Sequence, residues 1–314
     1  MKIAFFTETV TDWSLQPLNR NHPNARTDVA WKIALRTHNY NLKDAIEQNY
    51  DWGIIIVPKK NPNLAWEGYE INKNKCRQWA VMQEGPHFMF QDWSIEIQFE
   101  YLHFLLDMDL LLCHNEIDKN YYSGLFPDRK VEILPTLMIE DSIPKNLQKV
   151  ENRTGIMIGG NWTSWYSGQD SFFVARNIGS EIYAPSMGRK QNGEELIEEI
   201  KYLPYLSWSD WIVELSKRKY AVHLMRTYAA GTFQLNCAYL GIPCIGYENS
   251  DTQRICFPEL SIREGDLKEA IKIAKHLGEN DQFYQYCSAY AKKAWQENFS
   301  ERIFIEKCND IFTN

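Results

Sequence analysis

The segment Gly231–Gly246 constrains the fold of this 314-residue chain more than any other. It reads Gly-Thr-Phe-Gln-Leu-Asn-Cys-Ala-Tyr-Leu-Gly-Ile-Pro-Cys-Ile-Gly. Its opening glycine lets the backbone turn sharply and come close to a ligand. The residues up to Leu240 read as one short helix. Gly241 fits the C-terminus of that helix, and Pro243 cannot continue it. An apolar strand, Ile242–Tyr247, follows. This is one helix-to-strand step of a parallel α/β protein. The first-turn amides and the dipole of such a helix favour an anion above the glycine turn, most often phosphate.

The same alternation runs along the chain. Strands are predicted at Lys2–Thr7, Trp52–Val57, Gln78–Gln83, Leu110–Cys113 and Val131–Leu134, with helices at Asp28–Arg36 and Trp93–Leu106. Trp52–Val57 is continuously apolar and stops at Pro58, as expected of a strand buried on both faces. Residues 140–153 then turn polar, with Pro144, Lys145, Asn146 and Lys149, and read as a linker. The pattern restarts with strands at Thr154–Ile158, Glu181–Ala184 and Tyr220–Met225 and helices at Glu194–Ile200, near Asp210–Leu215, and at Leu267–His276. Phe283–Phe312 is largely helical, with a break near Asn298–Ser300. The length suits about two domains. The expected division is 1–148, 149–297 and a C-terminal helix at 298–314.

Composition narrows the class. The chain is 44% hydrophobic and 24% charged, an ordinary soluble globular mix. No apolar run reaches the length of a membrane span. Met1–Phe6 is too short for a secretory signal core and reads as a buried strand. A net charge of −7 gives no general attraction to nucleic acid or anionic membranes. Seven scattered cysteines with no CxxC suit reduced thiols, so a cytoplasmic setting is expected, that of a host if the chain is viral. No His, Cys, Asp and Glu grouping has metal-ligand spacing, and no metal is expected. Phosphate loops, nucleophile elbows and dinucleotide fingerprints are missing from the sequence.

The 231–246 segment resembles the donor-site signature of nucleotide-sugar glycosyltransferases with two Rossmann-like domains, the GT-B fold. That signature runs Glu-Pro-x-Gly, three residues, then Leu-Glu-Ala-Met-Ala-x-Gly-x-Pro-Val-Ile. Gly231, Leu235, Gly241, Pro243 and Ile245 fall in register. Tyr228 and Asn236 stand where the signature has Glu. An amide both donates and accepts, so Asn236 can still serve a ribose hydroxyl. Losing both acids tells against the retaining mechanism usual for the signature. The resemblance implies an α/β protein of two Rossmann-like domains facing a central cleft. The first domain takes the acceptor and the second takes a UDP-, GDP- or dTDP-sugar. The last helix crosses back to the first domain, and no cofactor is required.

Chemistry is then expected in the loops after the strands. For the donor these supply Gly159 and Gly160, which let the backbone approach a diphosphate, and Arg189 on a later loop. His223, Arg226 and Tyr228 lie around the strand end before the signature, followed by Gly231, Thr232, Phe233 and Asn236 within it. Arg226 suits the growing charge of a leaving diphosphate. His223, inside an apolar strand, also reads as an ordinary core histidine. Tyr205-Leu206-Ser207-Trp208 offers aromatics for a nucleobase. An inverting transfer needs a base on the acceptor hydroxyl, and Glu84 and His87, after the Gln78–Gln83 strand, are the candidates. Asp28, Asp92 and His114 come next. Arg26 and His114 are candidates for holding the acceptor, while Thr27 or Asp28 also fits a helix N-cap. Asp107-Met108-Asp109 resembles the metal triplet of the single-domain glycosyltransferases, but it precedes a strand instead of following one and reads as a turn. The activity implied is metal-independent, inverting transfer to a glycan or small molecule. Two alternatives stand: the same chemistry on a hydroxymethylated base of phage DNA, with Lys217-Arg218-Lys219 on phosphate, and a sugar-nucleotide epimerase or non-catalytic relative.

Overall fold

A computed structural model describes residues 1–8, 18–22, 24–83, 85–160, 162–186 and 193–313. The chain separates into two compact units. One comprises Met1–His22, Asp28–Pro135 and Ile305–Asn314, the other Pro23–Thr27 and Thr136–Phe304.

The first unit holds β1 (Ile3–Thr7), α1 (Thr27–Ala34), β2 (His38–Asn41), β3 (Tyr50–Val57), α2 (Asn63–Asn72) and β4 (Cys76–Gln83), then α3 (Ile95–Leu106), β5 (Leu110–Cys113), α4 (Glu116–Leu125) and β6 (Lys130–Ile133). The six strands form one parallel sheet in the order β2-β1-β3-β4-β5-β6. The apolar β3 sits inside that sheet, as its composition requires. One face of the sheet packs Phe6, Trp79 and Val81 against Tyr101, Phe104 and Leu105 of α3. Strand β2 carries no apolar signal because His38-Asn39-Tyr40-Asn41 lies at the edge, paired only to β1.

The second unit holds β7 (Ile156–Ile158), α5 (Gly168–Ala175), β8 (Ile182–Ala184), β9 (Ile200–Tyr202), α6 (Trp208–Ser216), β10 (Tyr220–His223) and α7 (Thr232–Leu240), then β11 (Cys244–Tyr247), α8 (Asp251–Cys256), β12 (Ser261–Ile262), α9 (Leu267–Glu279) and α10 (Asp281–Asn298). Its sheet is also parallel, in the order β12-β11-β10-β7-β8-β9. The strand order reverses between β7 and β10, and such switch points are where open α/β sheets bind ligands. The helix expected at Glu194–Ile200 is instead a single 3-10 turn, Glu194–Leu196, followed by β9. Edge pairing of Ile200, Lys201 and Tyr202 with β8 overrides local helix propensity there.

The last helix, α11 (Glu301–Thr313), begins in the second unit and ends in the first. Its start is fixed by reciprocal bonds: the Glu301 amide donates to the Glu140 carboxylate, and the Glu140 amide to that of Glu301. Its end is fixed in the first unit. Trp52 Nε1 donates to Phe312 O at 2.9 Å, and Lys130 Nζ to Ile311 O at 2.9 Å.

Candidate functional site

At the switch point of the second unit, two strand ends lie side by side. Val222 pairs with Ile158, and the Gly159 amide donates to Val222 O at 2.8 Å. The two glycines are set by crowding. A Cβ on Gly159 would lie 2.4 Å from the His223 ring. One on Gly160, at φ 74°, would lie 2.8 Å from Tyr166 Cβ. Both glycines are buried, and the space a side chain would take at the end of β7 is filled by His223 and Tyr166.

Beside it, α7 starts at Gly231 with φ 73°. A Cβ there would sit 1.9 Å from Thr252 Oγ1, and the Thr252 hydroxyl donates to Gly231 O. No side chain caps α7, and its first turn carries no acid. Helices α2, α5 and α8 also start without a side-chain cap bond, whereas α3, α4, α6, α9 and α10 are capped by Ser94, Asn115, Ser207, Asp266 and Asn280. The dipole at the start of α7 is thus offset neither by a side-chain cap nor by a first-turn acid. Thr232 Oγ1 lies 3.5 Å from Thr27 Oγ1 and 3.4 Å from Thr136 Oγ1. Thr27 itself holds φ 43°, a left-handed conformation that is costly for a β-branched residue. Helix α7 ends as the sequence predicts, with Gly241 at φ 64° as its C-cap.

Arg226 follows β10, and its guanidinium Nη2 lies 2.8 Å from Asp170 Oδ2 on the first turn of α5. The same oxygen accepts from the Ser167 hydroxyl at 3.0 Å and from Tyr247 Oη at 3.4 Å. Backbone amides of Arg226 and Thr227 donate to Trp165 O. Arg226 is thus aimed by a mostly buried carboxylate while its own side chain stays 47% exposed. The bond to Asp170 raises the already high guanidinium pKa, so the charge is permanent. The sequence reading missed Asp170.

His223 is buried between Gly159, Phe233 and Tyr166. Neither ring nitrogen meets a partner with hydrogen-bond geometry. Burial pushes its pKa down to about 4, with nearby Gln234 opposing the shift, so the ring is neutral at neutral pH. Phe233 packs between His223 and Trp211. Tyr228 lies on the loop leading to Gly231. Asn236 points into the protein. With its amide oriented to satisfy both ends, it accepts from Trp211 Nε1 at 3.0 Å and donates to Thr232 O at 3.3 Å. Trp208 is core at 2% exposure, whereas neighbouring Tyr205 is 70% exposed. Arg26 belongs to the segment grouped with the second unit and donates to Leu206 O. Arg189 lies outside the described residues, as does Glu84 of the first unit.

In the first unit, His87 follows β4 and meets Asp118 twice. Its amide and its Nδ1 lie 2.9 and 2.8 Å from Asp118 Oδ1. An ionised carboxylate only accepts, so Nδ1 carries the proton and Nε2 the basic lone pair. The other carboxylate oxygen accepts from Asn115 Nδ2 at 2.9 Å, and Asn115 Oδ1 accepts from the Asp118 amide. The imidazole stacks on Tyr121 with centroids 4.2 Å apart. The imidazole is oriented by a buried acid, and Asp118 too was missed from the sequence. His114 stacks on Trp31, and burial lowers its pKa to about 4. Asp28 pairs with the buried Lys32 at 2.9 Å. Asp109 accepts from the Trp79 amide, a turn contact consistent with its place before β5.

No family model and no curated protein matches the chain. Solved structures do. Sucrose-phosphate synthase from Thermosynechococcus elongatus is similar at TM-score 0.70 and 10% identity, over 99% of this chain and 98% of that one. An alpha-glucosyltransferase in complex with UDP and a 13-mer DNA containing a HMU base is similar at TM-score 0.62 and 12% identity, over 99% and 98%. A mutant of S. aureus TarM, solved with fondaparinux, alpha-GlcNAc-glycerol and UDP, is similar at 0.64 and 10%. That match covers 83% of this chain, which spans 55% of TarM. With two parallel six-stranded sheets and a last helix that ends in the first unit, the chain has the two-Rossmann-domain fold of the GT-B glycosyltransferases.

Proposed function

We propose that this chain transfers a sugar from a UDP-sugar to the hydroxyl of an uncharged acceptor. The observation that carries the reading is the β7/β10 switch point. There a helix N-terminus with no side-chain cap follows a strand end that carries an arginine aimed by Asp170. Fixed amide dipoles and a permanent cation suit a diphosphate, and they suit it better as it leaves with extra charge. UDP is the nucleotide of choice because it is bound in TarM and in the alpha-glucosyltransferase. In this reading, Arg226 and the α7 dipole neutralise the leaving group and no metal is required.

The first unit supplies the base. His87 Nε2, or Glu84, takes the proton of the acceptor hydroxyl. The hydroxyl oxygen attacks the anomeric carbon as the bond to the diphosphate oxygen breaks, and UDP leaves with that electron pair. Attack opposite the leaving group inverts the centre. An uncharged acceptor is favoured over nucleic acid because the first unit carries 14 Lys and Arg against 20 Asp and Glu. Calorimetry with UDP tests the donor half. Arg226→Ala should weaken UDP by about 1.5–3 kcal/mol, the worth of a charge-assisted contact. Unchanged affinity would move the diphosphate elsewhere. Turnover of a UDP-sugar panel in EDTA tests the rest, and loss of activity restored by a divalent ion would overturn metal independence.

A further inference from the structure

Helix α3 buries Tyr101, Phe104 and Leu105 in the core of the first unit. Its opposite stripe faces out. Ile95 is 68% exposed, Phe99 59% and Leu106 40%, with Leu102 half-buried between them. The steps of four, three and four residues put these side chains on one line of the helix. Single exposed apolar residues are ordinary, but an unbroken apolar line marks a contact surface.

The charges beside the line select the occupant. An interfacial membrane helix carries Lys and Arg along its polar edge. Helix α3 has neither, and its edge holds Glu96, Glu100 and His103. An anionic bilayer would repel these carboxylates. We propose that the stripe is a two-fold interface between two copies of this chain, with α3 antiparallel to its counterpart. A closed dimer of this kind uses the same patch on both subunits. The spacing is self-complementary: with the axis through the middle of α3, Ile95 meets Leu106 of the partner subunit, and Phe99 meets Leu102 of the partner subunit. His103 falls level with the gap between Glu96 of the partner subunit and Glu100 of the partner subunit, so a ring N–H meets carboxylates and offsets the near-level approach of Glu100 to Glu100 of the partner subunit. Antiparallel helices also bring opposite dipole ends together. The stripe is small beside the ~800 Å² per partner of a standard interface, so the dimer is reversible and concentration-dependent.

Sedimentation velocity on the full chain tests this across low to high micromolar protein. The expected result is a monomer–dimer equilibrium that Phe99→Glu weakens by at least about tenfold, the effect of losing a central anchor. Because Phe99 is largely exposed, the variant should keep its circular dichroism and melting temperature. His103→Glu should weaken the dimer as well, by placing like charges together. A monomer at every concentration, or a dimer indifferent to Phe99→Glu, overturns the proposal. So does co-sedimentation of the wild-type chain with phosphatidylcholine/phosphatidylglycerol vesicles that Phe99→Glu abolishes, which would assign the stripe to lipid.

Discussion

The sharpest test of the proposed chemistry is Asp118→Asn. Asp118 is 2% exposed, and its carboxylate makes three bonds, to the His87 amide, His87 Nδ1 and Asn115 Nδ2. An asparagine keeps the shape but offers one accepting oxygen and one NH₂. If the oxygen stays on His87, the NH₂ faces the Asn115 amide, donor against donor. If the NH₂ turns to His87, Nδ1 must accept, and the ring proton moves to Nε2. Either arrangement leaves a buried group unsatisfied, at a stability cost of about 1–3 kcal/mol. The second arrangement also removes the basic lone pair from Nε2. Catalysis should therefore fall far more than folding does. The expected loss in turnover is roughly 10²–10⁴-fold, the usual worth of a positioned base.

The assay is single-turnover transfer from a UDP-sugar, with UDP affinity by calorimetry and a denaturant titration alongside. Asp118 lies in the first unit, so UDP affinity should be unchanged. His87→Ala should match Asp118→Asn in turnover, because both delete the same base. If Asp118→Asn keeps turnover within about threefold while Glu84→Gln loses the 10²–10⁴-fold expected of a base, His87 is not the base and the role passes to Glu84. If none of the three variants loses turnover, the inverting mechanism itself fails.

Three further outcomes follow from the geometry. Gly231→Ala must accommodate φ 73° and a Cβ 1.9 Å from Thr252 Oγ1, so it should cost more than the ~1–2 kcal/mol of left-handed backbone alone and weaken UDP by displacing the α7 N-terminus; Thr252→Ala in the same chain should recover part of the stability, and no recovery would dismiss the clash. Burial lowers the His223 pKa from 6.5 to about 4, so its contribution is complete above pH 6.5, is lost as pH falls from 6.5 towards 4, and levels off below. The drop is at most about 3 kcal/mol, and His223→Gln should flatten the stability curve over that window; an unchanged curve would contradict a neutral buried imidazole. Phe312 is 4% exposed and packs its ring on Trp52, so Phe312→Ala should cost about 3–5 kcal/mol in chemical denaturation, and a loss under about 1 kcal/mol would mean that the C-terminal turn adds nothing to the first unit.

The strands were legible where burial on both faces forced an apolar run with a stop. Leu110–Cys113 matches β5 residue for residue, and Trp52–Val57 lies within β3. The glycine turn and stop of α7 were legible for a related reason, since only glycine holds φ 73° and 64° at those ends without strain. Edge strands were not. β2 and β9 read His-Asn-Tyr-Asn and Ile-Lys-Tyr, and the ladder on one side, rather than any apolar pattern, makes them strands. The site was legible only in its bare parts. His87 and Arg226 stand at strand ends, but the acids that aim them lie 31 and 56 residues away in sequence.

A signal for those acids existed, and it leads to a last prediction. Both follow a strand and sit three residues after a helix N-cap: Asn115 with Asp118 before α4, Ser167 with Asp170 before α5. That spacing is the capping-box pattern, in which the acid normally serves its own helix end. Asp210, three residues after Ser207, does so, exchanging bonds with the Ser207 hydroxyl. Asp170 keeps its bond to Ser167 and reaches Arg226 as well. The two residues can therefore be compared directly. Asp210→Asn and Asp170→Asn each remove a negative charge from a helix N-terminus, at about 0.3–1 kcal/mol. Only Asp170→Asn should also weaken UDP, by loosening the Arg226 guanidinium, and its effect should vanish in the Arg226→Ala background. Equal UDP affinity in the two variants would reduce Asp170 to a helix cap and leave Arg226 aimed by something else.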